Sequence, residues 1–286
     1  VSLEGGRTLT EETCTKALAV ALSAAILMAP YVHPVHAQGE RASDGAGLSP
    51  YWRPVVRRWE NITARYAERR GLDPDLVASV IWKESRGDAT VTGPTGAVGL
   101  MCVKPFPWRP SAEELRNPWT NVAAGTRTLA QVIRDGNGDV YYALAAYNGG
   151  WDQIHLDVTR RYAADVLDNY VRAVAVEHGL SANGEWIAVL SVEGLPEHRT
   201  LTVLGPGRPL ARYTDRPWPG ADVPSAPEGR APDATLITFE DQRGREARVN
   251  LWLIEDKRRV AVDREFLASG SPSLASFGQG ATGVPD

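Results

Sequence analysis

The apolar residues of this chain change their period once, near Gly184, and that change fixes the class of fold. Upstream they recur every three or four positions: Trp52, Val55, Val56, Trp59, Ile62 and Tyr66 form one such stripe, and Val77, Val80 and Ile81 another. That spacing belongs to amphipathic helices packed on a common core. Downstream, WIAVLSVEG, RTLTVLG, ATLITFED, ARVNLWLIED and RRVAVDREFL are short runs of β-forming residues separated by proline, glycine and charged turns. The expectation is an α+β protein, with a mainly α-helical domain over 51–183 followed by a small β-rich domain over 184–268. One helix is expected over 52–66 and others over 121–133, 140–147 and 159–178. Hairpin turns are expected at 242–244 and 256–257, with a long proline-rich loop over 205–230.

The two ends read differently from the middle. Lys16 precedes an apolar run over 17–29, and Val35-His36-Ala37 offers small residues at positions that signal peptidase reads, so 1–37 is expected to be a secretory signal. The run is shorter than the roughly 20 residues that span a bilayer, which favours cleavage over anchoring. Residues 38–50 are polar and glycine-rich, a flexible leader, and 269–286 are a Gly-, Ser- and Pro-rich tail expected to be disordered. The chain has two cysteines, and cleavage after Ala37 would remove Cys14, leaving Cys102 as a lone thiol with no intramolecular disulfide. The 31 basic and 35 acidic side chains nearly cancel, so no nucleic-acid partner is expected. Arg53, Arg57, Arg58, Arg65, Arg69 and Arg70 share a face with Glu60 and Glu68; it reads as a solvated surface, with attraction for anionic polymers as the alternative.

The chemistry starts in GLDPDLVASVIWKES. Asp73 is a suitable N-cap, Pro74 suits the first helical position, and Asp75 suits the positive end of the helix dipole. Glu84 follows Val77 by seven positions, which on a helix differ in direction by only about 20°, so its carboxylate falls on the stripe facing the core. Burial there raises a carboxyl pKa and keeps a proton available near neutral pH. Glycosidic bonds need such a donor, because the leaving sugar oxygen must be protonated as the bond breaks. No second carboxylate stands at a suitable place; Asp88, beyond Gly87, reads as a turn residue.

GPTGAVGLM is too glycine-rich for an ordinary surface turn, and Gly96 and Gly99 permit positive φ or a close approach of the backbone. AAYNGG ends an apolar helical stretch and brings Tyr147 and Asn148 to a helix terminus. Together ESRGD, GAVGLM, NPWTNVAAG, ALAAYNGG and TRRYAADV resemble, in order and spacing, the lysozyme-like domain of soluble lytic transglycosylases, over roughly 52–174. The resemblance implies that Glu84 is the single catalytic acid and base, with Ser85 beside it supporting the site. It also implies that Gly99, Leu100, Met101 and Cys102 line the glycan site, with Tyr147, Asn148 and Tyr162 as further substrate contacts. The implied partner is peptidoglycan, cleaved by a secreted or periplasmic protein at a bacterial cell wall, with no cofactor and no metal. The implied product carries a 1,6-anhydro-muramyl end, formed when the sugar's own 6-hydroxyl attacks.

Two departures from the family pattern stand out. Cys102 replaces a glutamine, and Val158 stands where glutamate is frequent; both point to altered glycan binding. A cysteine-nucleophile enzyme would need a base near Cys102, and none of His155, His178 and His198 has a suitable context. A small buried hydrophobe is the plainer reading of Cys102. A hydrolysing muramidase of the goose-type lysozyme kind and a catalytically silent glycan-binding protein are the alternatives. In the β-rich part Trp218 and Trp252 are either core residues or sugar-stacking rings. That part is a candidate for contact with the cell wall or another protein.

Overall fold

The helix that carries Glu84, α3 (Pro74–Ser85), starts and stops where its sequence demands. The Asp73 carboxylate accepts the Asp75 N–H at 2.8 Å, and Pro74 occupies the first turn, where its missing donor costs nothing. The helix ends at Arg86 in the left-handed region (φ 56°), followed by Gly87 at φ 84°. Leu76, Val77, Val80 and Ile81 are fully buried, so the predicted apolar stripe is the core face.

The structure is a computed structural model that describes residues 47–184, 186–195, 226–227 and 229–254, together with the backbone of 201–204. Around α3 stand α1 (Pro54–Arg57), α2 (Glu60–Glu68), α4 (Ala112–Leu115), α5 (Pro118–Asp135), α6 (Val140–Gly149) and α7 (Asp157–Glu177). Side-chain caps set three of their starts. Asn117 accepts from the backbone of Trp119 and Thr120 at α5, Asp139 accepts from Tyr142 N–H at α6, and Ser111 and Glu114 form a reciprocal capping box at α4. The signal and tail segments lie outside the described residues, as do Trp218, the 256–257 turn and the run at 258–267. Among the described residues no helix is long and apolar enough to cross a membrane.

Two expectations are corrected here. The single helix expected over 52–66 is broken at Arg58 and Trp59, because both side chains donate to the Gly87 carbonyl oxygen at 2.8 Å and turn the chain over the end of α3. The leader does not stay flexible up to residue 50, since Leu48 and Ser49 are buried. Ser49 Oγ donates to the Ala173 carbonyl at 2.8 Å, and Ser49 N–H and Trp52 Nε1 both donate to Asp75 Oδ1, at 3.1 and 2.7 Å. Burial, reinforced by the neighbouring Asp73 charge, holds the Asp75 carboxyl well above the usual range.

Four strands follow: β1 (Ile187–Glu193), β2 (Leu201–Leu204), β3 (Ala234–Glu240) and β4 (Glu246–Ile254). They form one antiparallel sheet in the order β2-β1-β4-β3. The β3–β4 hairpin turns where expected, with Asp241 accepting from the backbone N–H of Arg243 and Arg245 at 2.8 Å. The register pairs Ala188 with Leu253, Leu190 with Leu251 and Val192 with Val249, so one face carries all six side chains. That face is part of the same apolar core as Val77, Leu144 and Val174 of the helices. The opposite face holds Ile187 and Val189, and Trp252 is buried with its indole donating to the Arg230 carbonyl at 3.2 Å, which makes it a packing residue.

The composition change near Gly184 therefore marks a change of element without dividing the core. Backbone hydrogen bonds also cross it: Asp73 N–H donates to the Leu236 carbonyl and Thr238 N–H to the Gly71 carbonyl, both at 2.8 Å, so β3 pairs with the turn that leads into α3. Gly71 has φ 65°, and a Cβ there would collide with the Thr238 carbonyl. At the far end of α7, His178 Nε2 lies 2.9 Å from the Asp233 carbonyl oxygen. A fragment ending at Ser181 would expose the apolar side chains of the helices that share this core with the sheet and leave these backbone groups unpaired. It is expected to lose cooperative thermal unfolding or to aggregate, and a fragment that melts cooperatively near the full chain's temperature would show that the helices hold a core of their own.

Candidate functional site

Glu84 sits in the last turn of α3 and is only 5% exposed. Its Oε1 accepts a hydrogen bond from the Tyr162 hydroxyl of α7 at 2.7 Å. Burial pushes its carboxyl up to about 8, against the opposing pull of that hydrogen bond and of the Lys83 charge. A carboxyl in this state carries a proton at neutral pH and still has a defined orientation. Burial and the Glu84 charge raise the phenols of Tyr147 and Tyr162 well above their usual values, so both remain donors. Lys83 points away, its ammonium 2.6 Å from Asp165 Oδ2 and 6.0 Å from the centre of the Tyr162 ring. Asp88, the next acid in the chain, is exposed and accepts from Thr90 N–H and Oγ1 at 2.8 and 2.7 Å, a local turn.

The glycine-rich segment folds back against the end of α3. Val98 and Val103 exchange both backbone hydrogen bonds at 3.0 Å, and the four residues between them turn, with Cys102 N–H donating to the Gly99 carbonyl at 3.0 Å. Gly99 is obligatory here: its φ is 79°, and a Cβ would run into the Asn121 amide and the Leu115 carbonyl. The close approach predicted for this segment is thus to the protein's own interior at Gly99, whereas Gly96 opens onto free space. Ser85 Oγ donates to the Leu100 carbonyl at 2.8 Å and to Ile81 at 3.1 Å, tying the turn to α3. The Tyr147 hydroxyl donates to the Met101 carbonyl at 2.9 Å, tying it to α6.

These contacts sort the residues singled out by the sequence. Glu84, Tyr147 and Tyr162 come together. Ser85, Leu100 and Met101 are buried, so their side chains pack and bond within the protein, and a ligand could reach this segment only through its main chain. Asn148, at the end of α6, keeps its Oδ1 buried with no hydrogen-bond partner, an acceptor already stripped of water. Cys102 adopts φ 44° and its Sγ lies 3.5 Å from the Glu84 carbonyl oxygen. It is disulfide-bonded, which corrects the expectation of a lone thiol and leaves no cysteine nucleophile at this position. His155 is exposed, and His198 lies outside the described residues. Of the last motif, Thr159 Oγ1 donates to the Gln153 and Leu156 carbonyls at 2.6 and 2.8 Å, Val166 is core, and Val158 is exposed.

One site-forming residue was not singled out in advance. Asn121, fully buried on α5, donates to the Val98 carbonyl at 2.7 Å and the Leu115 carbonyl at 3.0 Å, and accepts Met101 N–H at 2.9 Å. A polar residue on the core face of an amphipathic helix was the available signal. One turn later Gly125 makes room for the Met101 side chain, which a Cβ there would strike. Asn121→Leu keeps the branched shape but orphans the buried Met101 N–H and Leu115 carbonyl, while the Val98 carbonyl keeps Val103 N–H, at a cost of about 1–3 kcal/mol for each unsatisfied group. It is expected to lower the melting temperature by several degrees and to reduce activity through a displaced turn. An unchanged melting temperature would show that the turn is held by its own backbone.

Residues 61–167 match the transglycosylase SLT domain family. A transglycosylase of Enterobacteria phage PRD1 is 36% identical over 117 residues, covering 40% of this chain and 43% of that protein. The endo-type membrane-bound lytic murein transglycosylase A of Klebsiella pneumoniae is 34% identical over 99 residues, covering 29% and 49%. The membrane-bound lytic murein transglycosylase E of Buchnera aphidicola is 30% identical over 144 residues, covering 43% and 65%. The chain thus spans less than half the length of the first two relatives. The matched segment holds Glu84, the Gly99 turn, Asn121, Tyr147 and Tyr162 and stops short of the sheet. The helical segment built around Glu84 is thus similar to the transglycosylase SLT domain family over residues 61–167.

Proposed function

We propose that this chain is a peptidoglycan lytic transglycosylase, cleaving the β-1,4 bond between N-acetylmuramic acid and N-acetylglucosamine and leaving a 1,6-anhydro-muramyl end. The observation that carries the reading is the buried Glu84 carboxyl, protonated at neutral pH and aimed by Tyr162. It acts first as acid: its proton goes to the bridging oxygen, and the N-acetylglucosamine leaves as an alcohol. Charge develops at the muramyl anomeric carbon, where the sugar's own N-acetyl oxygen stabilises it. The 6-hydroxyl of the same sugar then attacks that carbon and returns its proton to Glu84, so no water is consumed. An intramolecular nucleophile has a high effective molarity, which is why one carboxyl suffices for both steps. Tyr162 keeps the carboxyl oriented through both protonation states.

Relatives named as acting on murein support this substrate, and such a substrate places the work at a bacterial cell wall, in a secreted or periplasmic protein. Contact of the β-rich part with the wall or with a protein partner would add to local concentration without altering the site.

Glu84→Gln keeps the shape and the acceptor for Tyr162 but has no transferable proton, so turnover of peptidoglycan should fall about 100-fold or more. Because the first step needs the protonated acid, wild-type turnover should hold below pH 8 and decline as the pH rises through about 8. Mass analysis of the digest should show anhydro ends. Reducing ends would make the protein a hydrolysing muramidase, and binding without cleavage would make it a silent glycan-binding protein. Near-normal turnover in Glu84→Gln would sink the mechanism.

A further inference from the structure

The loop that continues from Cys102 and Val103 carries a second cluster that the motif residues do not explain. Phe106 and Trp108 stack with ring centres 5.2 Å apart and planes 2° apart, and Trp108 is 71% exposed. The Arg109 guanidinium lies 5.3 Å from the Phe106 ring centre, and the Lys104 ammonium lies 5.9 Å from it. Pro105, Pro107 and Pro110 restrict the backbone, and Arg109 N–H closes a turn onto the Phe106 carbonyl at 2.9 Å. The loop is therefore a preorganised platform with its indole face turned to solvent.

Its place and its charge are both informative. Arg109 is partly buried, which draws its pKa down, and the Tyr147 phenol lies within its electrostatic reach. Tyr147 in turn reaches Glu84 and holds the Met101 carbonyl at 2.9 Å. The platform adjoins the site because its loop leaves the turn whose Cys102 Sγ lies 3.5 Å from the Glu84 carbonyl oxygen and whose Met101 carbonyl is held by Tyr147. Among the described residues the Arg109 guanidinium makes no ion pair and donates no side-chain hydrogen bond; stacking beside Phe106 is what holds it. A guanidinium with a free donor fork takes a carboxylate in bidentate fashion, and an exposed indole takes the apolar face of a sugar ring. One ligand carries both groups: a pyranose bearing a carboxylate.

We propose that Phe106, Trp108 and Arg109 form a specificity subsite beside Glu84 for an acidic muramyl unit of the glycan strand, with Trp108 stacking on the ring and Arg109 binding the carboxylate. This rests on the reading of Glu84 as the centre of a glycan-cleaving site. The carboxylate comes either from the lactyl group of the muramyl sugar or from a stem peptide attached to it. A neutral N-acetylglucosamine polymer offers the ring alone, so the platform would separate cell-wall glycan from chitin-like chains through Arg109.

The test is binding, measured by calorimetry on the full chain carrying Glu84→Gln so that no cleavage intervenes. Three probes are compared: a neutral chitooligosaccharide, a peptide-free muramyl oligomer with free lactyl carboxylates, and the same oligomer carrying stem peptides. Trp108→Ala should weaken all three by about tenfold with no change in melting temperature, because the side chain is exposed. Arg109→Gln should leave the neutral probe unaffected and weaken an acidic probe by about tenfold or more, and Arg109→Lys should recover part of that loss. Loss on the peptide-free oligomer assigns the carboxylate to the lactyl group; loss confined to the peptide-bearing oligomer assigns it to the stem. Equal loss on all three probes in Arg109→Gln, or no loss on any, overturns the proposal. Either result leaves Glu84 untouched, since its role is read from turnover and product.

Discussion

The contact on which the rest depends is the 2.7 Å hydrogen bond from Tyr162 to the buried carboxyl of Glu84. A carboxyl placed among apolar side chains resists ionisation, and a proton that stays on to about pH 8 is what glycosidic cleavage needs. The arrangement opposes stability. The folded-state pKa lies above the unfolded value, so the folded chain binds the proton more tightly and loses stability as pH rises from the ordinary carboxyl range through about 8. A shift from 4.5 to about 8 corresponds to on the order of 5 kcal/mol once both states are ionised. A domain of ordinary stability tolerates that only if the helix bearing the group is firmly held.

Both ends of α3 are held accordingly. At its start Asp73 caps the helix and Asp75 receives Ser49 and Trp52, while β3 pairs with the turn just before it. At its end the Gly87 carbonyl takes Arg58 and Trp59, and Ser85 binds Leu100 of the glycine turn. Asn121 clamps that turn from α5 and Tyr147 from α6. A displacement of the sheet therefore bears on the helix that positions the acid, although no strand lies in the segment matched by the family.

Much of this was legible from spacing. The Asp73-Pro74 start, the buried stripe ending in Glu84, and helices α5, α6 and α7 follow from residues that act within one or two turns of chain. What the sequence hid was long-range. The break at Trp59 arises because its indole finds Gly87, and the order in the leader arises because Ser49 finds Ala173. The glycines suggested a backbone approached by a ligand, but Gly99 is approached by Asn121 of the protein itself. The change of composition near Gly184 suggested two cores, yet alternation along β1 and β4 shows only that one face is buried, not what buries it.

The central claim is that Glu84 is protonated at neutral pH, and carboxyl infrared spectroscopy reads this directly. The difference spectrum between the wild-type protein and Glu84→Gln should contain a protonated-carboxyl C=O band at pH 7 that disappears with a midpoint near pH 8. A band already absent at pH 7, or one that titrates near 4.5, would show that the site leaves Glu84 an ordinary carboxylate and would contradict its role as the acid.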